Sequence, residues 1–259
     1  MGDLDRHFAA CNNAVLPGER LPFRMGSSLV GWVRRDFARA LADFAPVSAG
    51  ADGVTLAAEA AGELEGIARS LSVAGWFRWR DEAFDVRAEP GGVVLGRVDR
   101  GALPAFGLLA EGVHVNGMVR RGGALFVWIA RRAANKALDP GKLDHLVAGG
   151  VPAGMTPWET LIKEAAEEAG IGEEMAARAV KVSEIAYAME RPEGLRRDLL
   201  HCYDLFVPED FVPHAADGEV EEFFLWPVER VLETVRETDR FKFNVNLVLI
   251  DLFRRNGVS

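Results

Sequence analysis

The sequence predicts an α+β fold in two units, residues 1–105 and 106–259. Three observations predict it. Segments with helical apolar spacing are interleaved with short β-rich runs, and a Gly- and Pro-containing stretch, "DRGALPAFG" (99–107), separates two such regions. At 259 residues and 49% hydrophobic, the chain also has enough apolar material for more than one core.

In the first unit, "VRRDFARALADF" (33–44) places Phe37, Ala40, Leu41 and Phe44 on one helical face. "AAEAAGELEGIARSLSVAGW" (57–76) does the same with Leu64, Ile67, Leu71 and Trp76. Between and after them "GVTLAA", "AFDVRAE" and "VVLGRVD" read as short strands, and "PGG" (90–92) as a hairpin turn. Beyond the boundary, "GVHVNGMVRR" and "ALFVWIARRA" read as a hairpin joined by Gly122-Gly123. Then comes a helix with written ends over roughly 157–169. Thr156-Pro157-Trp158-Glu159 is a capping-box pattern, and Gly170 stands where a left-handed C-terminal residue belongs. "KVSEIAYAME", "LRRDLLHCYDLFVP" and "EVEEFFLWP" read as three further strands, with "PVERVLETVRE" and "NVNLVLIDLFRR" as closing helices.

Charge and composition narrow the function. With 39 acidic against 30 basic residues the net charge is -9, which argues against a nucleic-acid backbone or an anionic membrane as partner. No run approaches the roughly 18 apolar residues that span a bilayer, and the N-terminus lacks a signal-like apolar stretch, so a soluble cytoplasmic protein is expected. Cys11 and Cys202 belong to no C-x-x-C pair and are expected to be buried, inert thiols.

The chemistry concentrates in "GGVPAGMTPWETLIKEAAEEAGI" (149–171). Glu164, Glu167 and Glu168 stand at i, i+3 and i+4 on one helix, an arrangement that destabilises a helix unless something outside compensates. A solvated acidic face is one reading. A divalent cation is the other: hard cations take a few carboxylates together with phosphate oxygens and water, and the Gly149-Gly150 loop can bring a carbonyl oxygen to the same place. Further candidates flank this segment. Glu219 and Glu221 are two apart on an expected strand and would face one side, as a further ligand and base or as an exposed polar face. One of Arg131, Arg132 and Lys136 is expected to hold phosphate. His145, beside Asp144, can contact substrate or be structural.

The segment resembles the box of the Nudix hydrolases, G-x5-E-x7-R-E-U-x-E-E-x-G-U with U aliphatic. Aligned on Gly149, seven of nine defined positions match when Ala165 is allowed as a small apolar residue, and Met155 and Lys163 replace the first glutamate and the arginine. Lys163 cannot reproduce the planar fork of arginine. Further stretches, including "LPFRMGSSLVGWVRRD", "ARRAANKALDPGKLDHLVAGGVPAGM" and "FKFNVNLVLIDLFRRNG", resemble the branch related to thiamine-pyrophosphokinase-like proteins, in which a K-E-A-x-E-E box without the first glutamate is usual and an extra N-terminal domain is present.

The resemblance implies an α/β/α sandwich with a mixed sheet for 106–259, preceded by a smaller α+β domain. It also implies a Mg2+-dependent diphosphatase, with Mn2+ as the alternative ion, acting on oxidised or damaged thiamine diphosphate analogues. A Nudix hydrolase of ADP-ribose or a dinucleotide, and a non-catalytic ligand-binding module, are the competing readings. On this basis Gly149, Glu164, Glu167 and Glu168 are expected to bind metal, Glu164, Glu168 and Glu221 to act in catalysis, and Arg131, Lys136, His145 and Gly150 to bind a small-molecule diphosphate. A homodimer is expected from the family's habit.

Overall fold

In a computed structural model, which describes residues 4–136, 138–215 and 218–259, the chain opens with α1 (Asp5–Cys11) and a small sheet built from β1 (Leu21–Met25) and β2 (Ser28–Val33). Helix α2 (Arg35–Leu41) leads to β3 (Val47–Gly50) and β4 (Gly53–Leu56), and the sheet order is β2-β1-β4-β3. The 57–76 stretch divides into a 3-10 segment (Ala58–Glu63) and α3 (Leu64–Val73), whose Leu64, Ile67 and Leu71 are buried as their spacing requires, whereas Trp76 falls beyond the helix end and is exposed. A hairpin of β5 (Ala83–Val86) and β6 (Gly96–Asp99) follows, then a 3-10 turn (Arg100–Ala102) and α4 (Leu103–Phe106). One core holds β1 to α4 together, with Phe23, Phe37, Leu41 and Phe106 at its centre and Phe37 edge-on to Phe106 at 4.9 Å, whereas Cys11 of α1 is buried with Tyr187, Leu200 and Val248 of the second half.

The second unit is built on β7 (Leu109–Arg121) and β8 (Ala124–Arg132), joined through Gly122 and Gly123, which both take positive φ as a tight hairpin turn requires. Two short strands follow, β9 (Leu143–His145) against β8 and β10 (Val147–Gly150) against β7. Helix α5 (Pro157–Ala169) has both halves of the expected capping box, and Gly170 closes it at φ 64°. After α6 (Glu173–Ala176) come β11 (Val180–Arg191), β12 (Gly194–Phe206) and β13 (Val220–Pro227), then α7 (Val228–Glu237) and α8 (Val245–Asn256). The main path of the sheet is β11-β12-β7-β8-β13. It is mixed because β12 runs parallel to β7 while the other pairs are antiparallel.

This sheet is covered on both faces. Leu161, Ala165 and Ala169 of α5 pack on Val113, Val115 and Val119, while Val231, Val235, Leu249 and Phe253 of α7 and α8 pack on Met118, Val127 and Ile129. Full burial of each such aliphatic side chain contributes roughly 1.5–3 kcal/mol, so these two layers outweigh the local cost of crowding glutamates on α5. The result is the α/β/α sandwich expected for this half.

The two units interlock. Helix α1, first in the chain, packs on β11 and α8, with Arg6 on Asp239 at 2.5 Å and His7 Nε2 against Val235 O at 2.8 Å. Arg20, buried, donates twice to Glu190 at 2.7 and 2.6 Å. Cys11 and Cys202 are both free and buried, and burial pushes each thiol up to about 12.

Candidate active site

β7 pairs with β8 only over its C-terminal end, and with β10 over its N-terminal half. β8 and β10 therefore diverge, and a cleft of about 1070 Å³ opens there, walled by both units. The register of β10 decides what reaches it. Ala148 is opposite His114 and Gly149 opposite Val113. Val151 N–H donates to Glu111 O at 2.9 Å, so the odd-numbered residues turn their backbone groups into the ladder with β7. Ala148 N–H points the other way, to the open edge, and donates to Glu168 Oε2 at 2.8 Å.

This register corrects one expectation. Gly149 does not present its carbonyl to the open edge, because a residue's N–H and C=O leave a strand on the same side. The outward carbonyls are those of Ala148 and Gly150, and Ala148 is the one beside Glu168. Gly149 matters for its missing side chain: a Cβ there would lie 2.6 Å from Glu164 Cγ and Cδ. Gly150 is likewise a close approach, since its Cβ would meet Phe84 Cζ at 2.7 Å.

Helix α5 brings its glutamates to this edge. Glu164 and Glu167 line the cleft, while Glu168 lies behind them, 7% exposed. Burial pushes the Glu168 carboxyl up to about 8, and it also raises Glu164 against the pull of Lys163. Lys163 bridges Glu164 at 3.1 Å and Glu167 at 2.5 Å. Burial works against its charge, but Glu167 and Glu164 hold the ammonium above its ordinary value. Lysine thus neutralises the two outer glutamates through a single point charge. Glu168 has no cation within ion-pair distance among the described residues. Crowded, partly desolvated carboxylates beside an outward carbonyl are the donor set a hard divalent cation takes, so these residues fit Mg2+. A second cluster is also present: among the described residues, the potential ligand atoms of His114, Asp144 and His145 lie within 4.8 Å of one another.

That second cluster is not built for a cation. Arg132 Nη1 lies 2.8 Å and Lys242 Nζ 3.6 Å from Asp144 Oδ2, so two positive charges already occupy the carboxylate. Burial would raise Asp144, yet Lys242 and Arg132 hold it well below the usual carboxylate range. Burial lowers His145 to about 4 and His114 well below its ordinary value, and the two rings share a hydrogen bond, Nδ1 to Nδ1, at 2.9 Å. His145 is therefore a neutral structural residue under the cleft floor, not a substrate contact. Its partner His114 reaches the cleft wall.

Two more expectations are corrected. Arg131 turns to the other side of β8, stacking on Phe224 at 5.2 Å and pairing with Glu222 at 3.7 Å. Arg132 faces the cleft instead. Glu221 is exposed and accepts from Ala134 N–H at 2.8 Å, away from the cleft lining. A bulge between Val220 and Glu222 breaks the two-residue alternation from which a shared face was inferred. Glu219 lines the cleft, paired with Lys136, which lines it as expected. Residues the sequence reading missed include Lys242, Arg191, Arg196 and Arg197, and Arg80 and Arg100 from the first unit. "RPEGLRRD" (191–198), which ends β11 and opens β12, was the available signal, as a cluster of arginines around a turn.

Comparison with known proteins bears on this site. The NUDIX domain family matches residues 110–245, and a domain of unknown function (DUF4743) matches residues 4–110. "Nudix hydrolase 24, chloroplastic" of Arabidopsis thaliana is 39% identical over 96% of this chain and 71% of its own length. "Nudix hydrolase 20, chloroplastic" of the same plant is 44% identical over 69% of this chain, which spans only 48% of that protein. A crystal structure of DR0079 from Deinococcus radiodurans superposes with a TM-score of 0.49 at 21% identity, covering 67% of this chain and 100% of that one.

Proposed function

Since the chain belongs to the Nudix hydrolase family, we propose that it is a Mg2+-dependent diphosphatase acting on oxidised or damaged thiamine diphosphate analogues and releasing the monophosphate and phosphate. The observation that carries the reading is one cleft holding Glu164, Glu167, Lys136, Arg132 and Lys242 together: carboxylates for a divalent ion and cations for phosphate. Glu164, Glu167, Glu168 and the Ala148 carbonyl would hold Mg2+. When bound, the ion supplies charge neutralisation at the phosphoryl oxygens and a more acidic water. Lys136 and Arg132 orient the diphosphate, and Glu219, on the cleft wall beside Lys136, accepts the proton of the attacking water.

The thiamine assignment is supported by Met155 and Lys163, the branch's departures from the general box, and by the N-terminal unit that accompanies them. A second reading, a hydrolase of ADP-ribose or a dinucleotide, is favoured by the cleft volume of about 1070 Å³, which would admit a ligand larger than a thiamine ester. A phosphate-release panel separates them. Turnover of oxothiamine diphosphate exceeding that of ADP-ribose, lost on removing Mg2+, supports the first reading; turnover of ADP-ribose alone supports the second.

A further inference from the structure

The first unit does more than pack against the second. Its loop 78–82 and the turn after β6 are tied together by Asp99, a carboxylate only 2% exposed. Asp99 accepts from Arg80 N–H at 2.9 Å, Glu82 N–H at 3.2 Å and Gly101 N–H at 2.8 Å. Arg100 N–H donates to Glu82 O at 2.7 Å. The approach is close enough that a Cβ on Gly101 would sit 2.0 Å from Arg78 O. One buried carboxylate and one glycine thus fix a rigid backbone from which Arg78, Arg80 and Arg100 all reach the cleft wall.

Arg100 reaches the glycine pair of β10. Its Cζ is 3.6 Å from where a Cβ on Gly150 would stand, and its guanidinium lies over Phe84, 5.6 Å from the ring centroid. Glu164 lies against Gly149 on one face of β10 and Arg100 against Gly150 on the other. Among the described residues β10 pairs with β7 alone, so its free edge joins the two. A diphosphate lying across that edge would have the carboxylate helix on one face of β10 and the guanidinium on the other. Arg100 is held at present by Glu82 at 2.8 Å, with both side chains more than a third exposed. Such a pair contributes little and exchanges readily for a phosphate oxygen.

We propose that the N-terminal unit completes the diphosphate site of the second unit, with Arg100 binding a phosphate oxygen of the substrate. This deepens the reading above and rests on its placement of the diphosphate at α5 and β10. Among the described residues the hydrogen bonds and the ion pair of Arg100 all go to Glu82 of its own unit, so removing its side chain breaks no hydrogen bond or ion pair between the units.

The test is calorimetric titration of the intact protein with methylenediphosphonate in Mg2+, a diphosphate analogue whose P–C–P bridge is not hydrolysed. Arg100→Gln is expected to weaken binding by about tenfold or more, the loss of one charge-assisted hydrogen bond. Arg100→Lys is expected to restore part of it. Arg39→Gln, which removes an exposed charge of the same unit away from the cleft, is expected to bind as the unaltered protein does. With substrate, Arg100→Gln raises KM more than it lowers kcat. If Arg100→Gln binds the analogue within twofold of the unaltered protein, or if the unaltered protein does not bind it, the proposal is overturned. Arg100-dependent binding without phosphate release from any ester would sustain this inference while removing the proposed activity.

Discussion

The Glu164 side chain occupies the space that a β-carbon on Gly149 would need: Cγ and Cδ lie 2.6 Å from that position. A backbone position without a side chain therefore sets where a carboxylate from another element comes to rest. Gly149→Ala is expected to displace Glu164 and lower kcat/KM by roughly 10- to 100-fold, as sub-ångström to ångström misplacement of a catalytic group does. The melting midpoint should move by only a few degrees. Steady-state kinetics and a thermal melt on the same sample check this, and unaltered kinetics would show that the contact is incidental.

Glu219 and Glu221 separate under mutation. Glu219 lines the cleft beside Lys136, whereas Glu221 caps the Ala134 N–H outside it. Glu219→Gln is expected to lower kcat by about 100-fold or more if it accepts the water's proton. Glu221→Gln should cost less than tenfold, and the reverse order in the measured kcat values would reassign the base.

The contrast shows what the sequence made legible. Helix α5 was readable to its ends, because the Thr156 and Glu159 capping box and Gly170 are local signals whose chemistry is complete within a few residues. The glutamate spacing placed Glu164 and Glu167 on the cleft for the same reason. Glu221 failed because a bulge in β13 is a property of pairing with β8, not of the strand's own alternation. Arg131 and His145 failed because burial depends on which face of β8 and β9 is covered, and a single residue of register exchanges the faces. The Ala148 carbonyl, one residue from the expected ligand, is again a matter of register. Strands β1 to β3, β9 and β10 and the short helices α1, α4 and α6 were not read at all, their signals being too brief or completed only by distant partners. Arg80 and Arg100 were out of reach because a contact between units has no periodicity.

The buried histidines carry a pH prediction. Folded, His145 stays neutral until about pH 4, since burial lowers it and the nearby Lys242 adds to the effect against the opposing pull of Asp144. Unfolded, it takes a proton near its ordinary 6.5. Between these values the unfolded chain binds more protons, so stability is full above about pH 6.5 and falls as the pH drops toward 4. His114 shifts in the same direction, with Arg132 and Lys242 also facing the pair. Thermal midpoints from pH 7 to 4.5 should fall less steeply in His145→Gln than in the unaltered protein, whatever their absolute values. Parallel curves would contradict a buried neutral imidazole.

The most direct measurement is phosphate release from oxothiamine diphosphate at saturating Mg2+ by the unaltered protein and by Glu164→Gln. The account predicts turnover that disappears with chelation of Mg2+ and falls by about 100-fold or more in Glu164→Gln, as loss of a metal-holding carboxylate requires. Equal rates from the two proteins, or a rate indifferent to Mg2+, would contradict the assignment of α5 as the catalytic metal site.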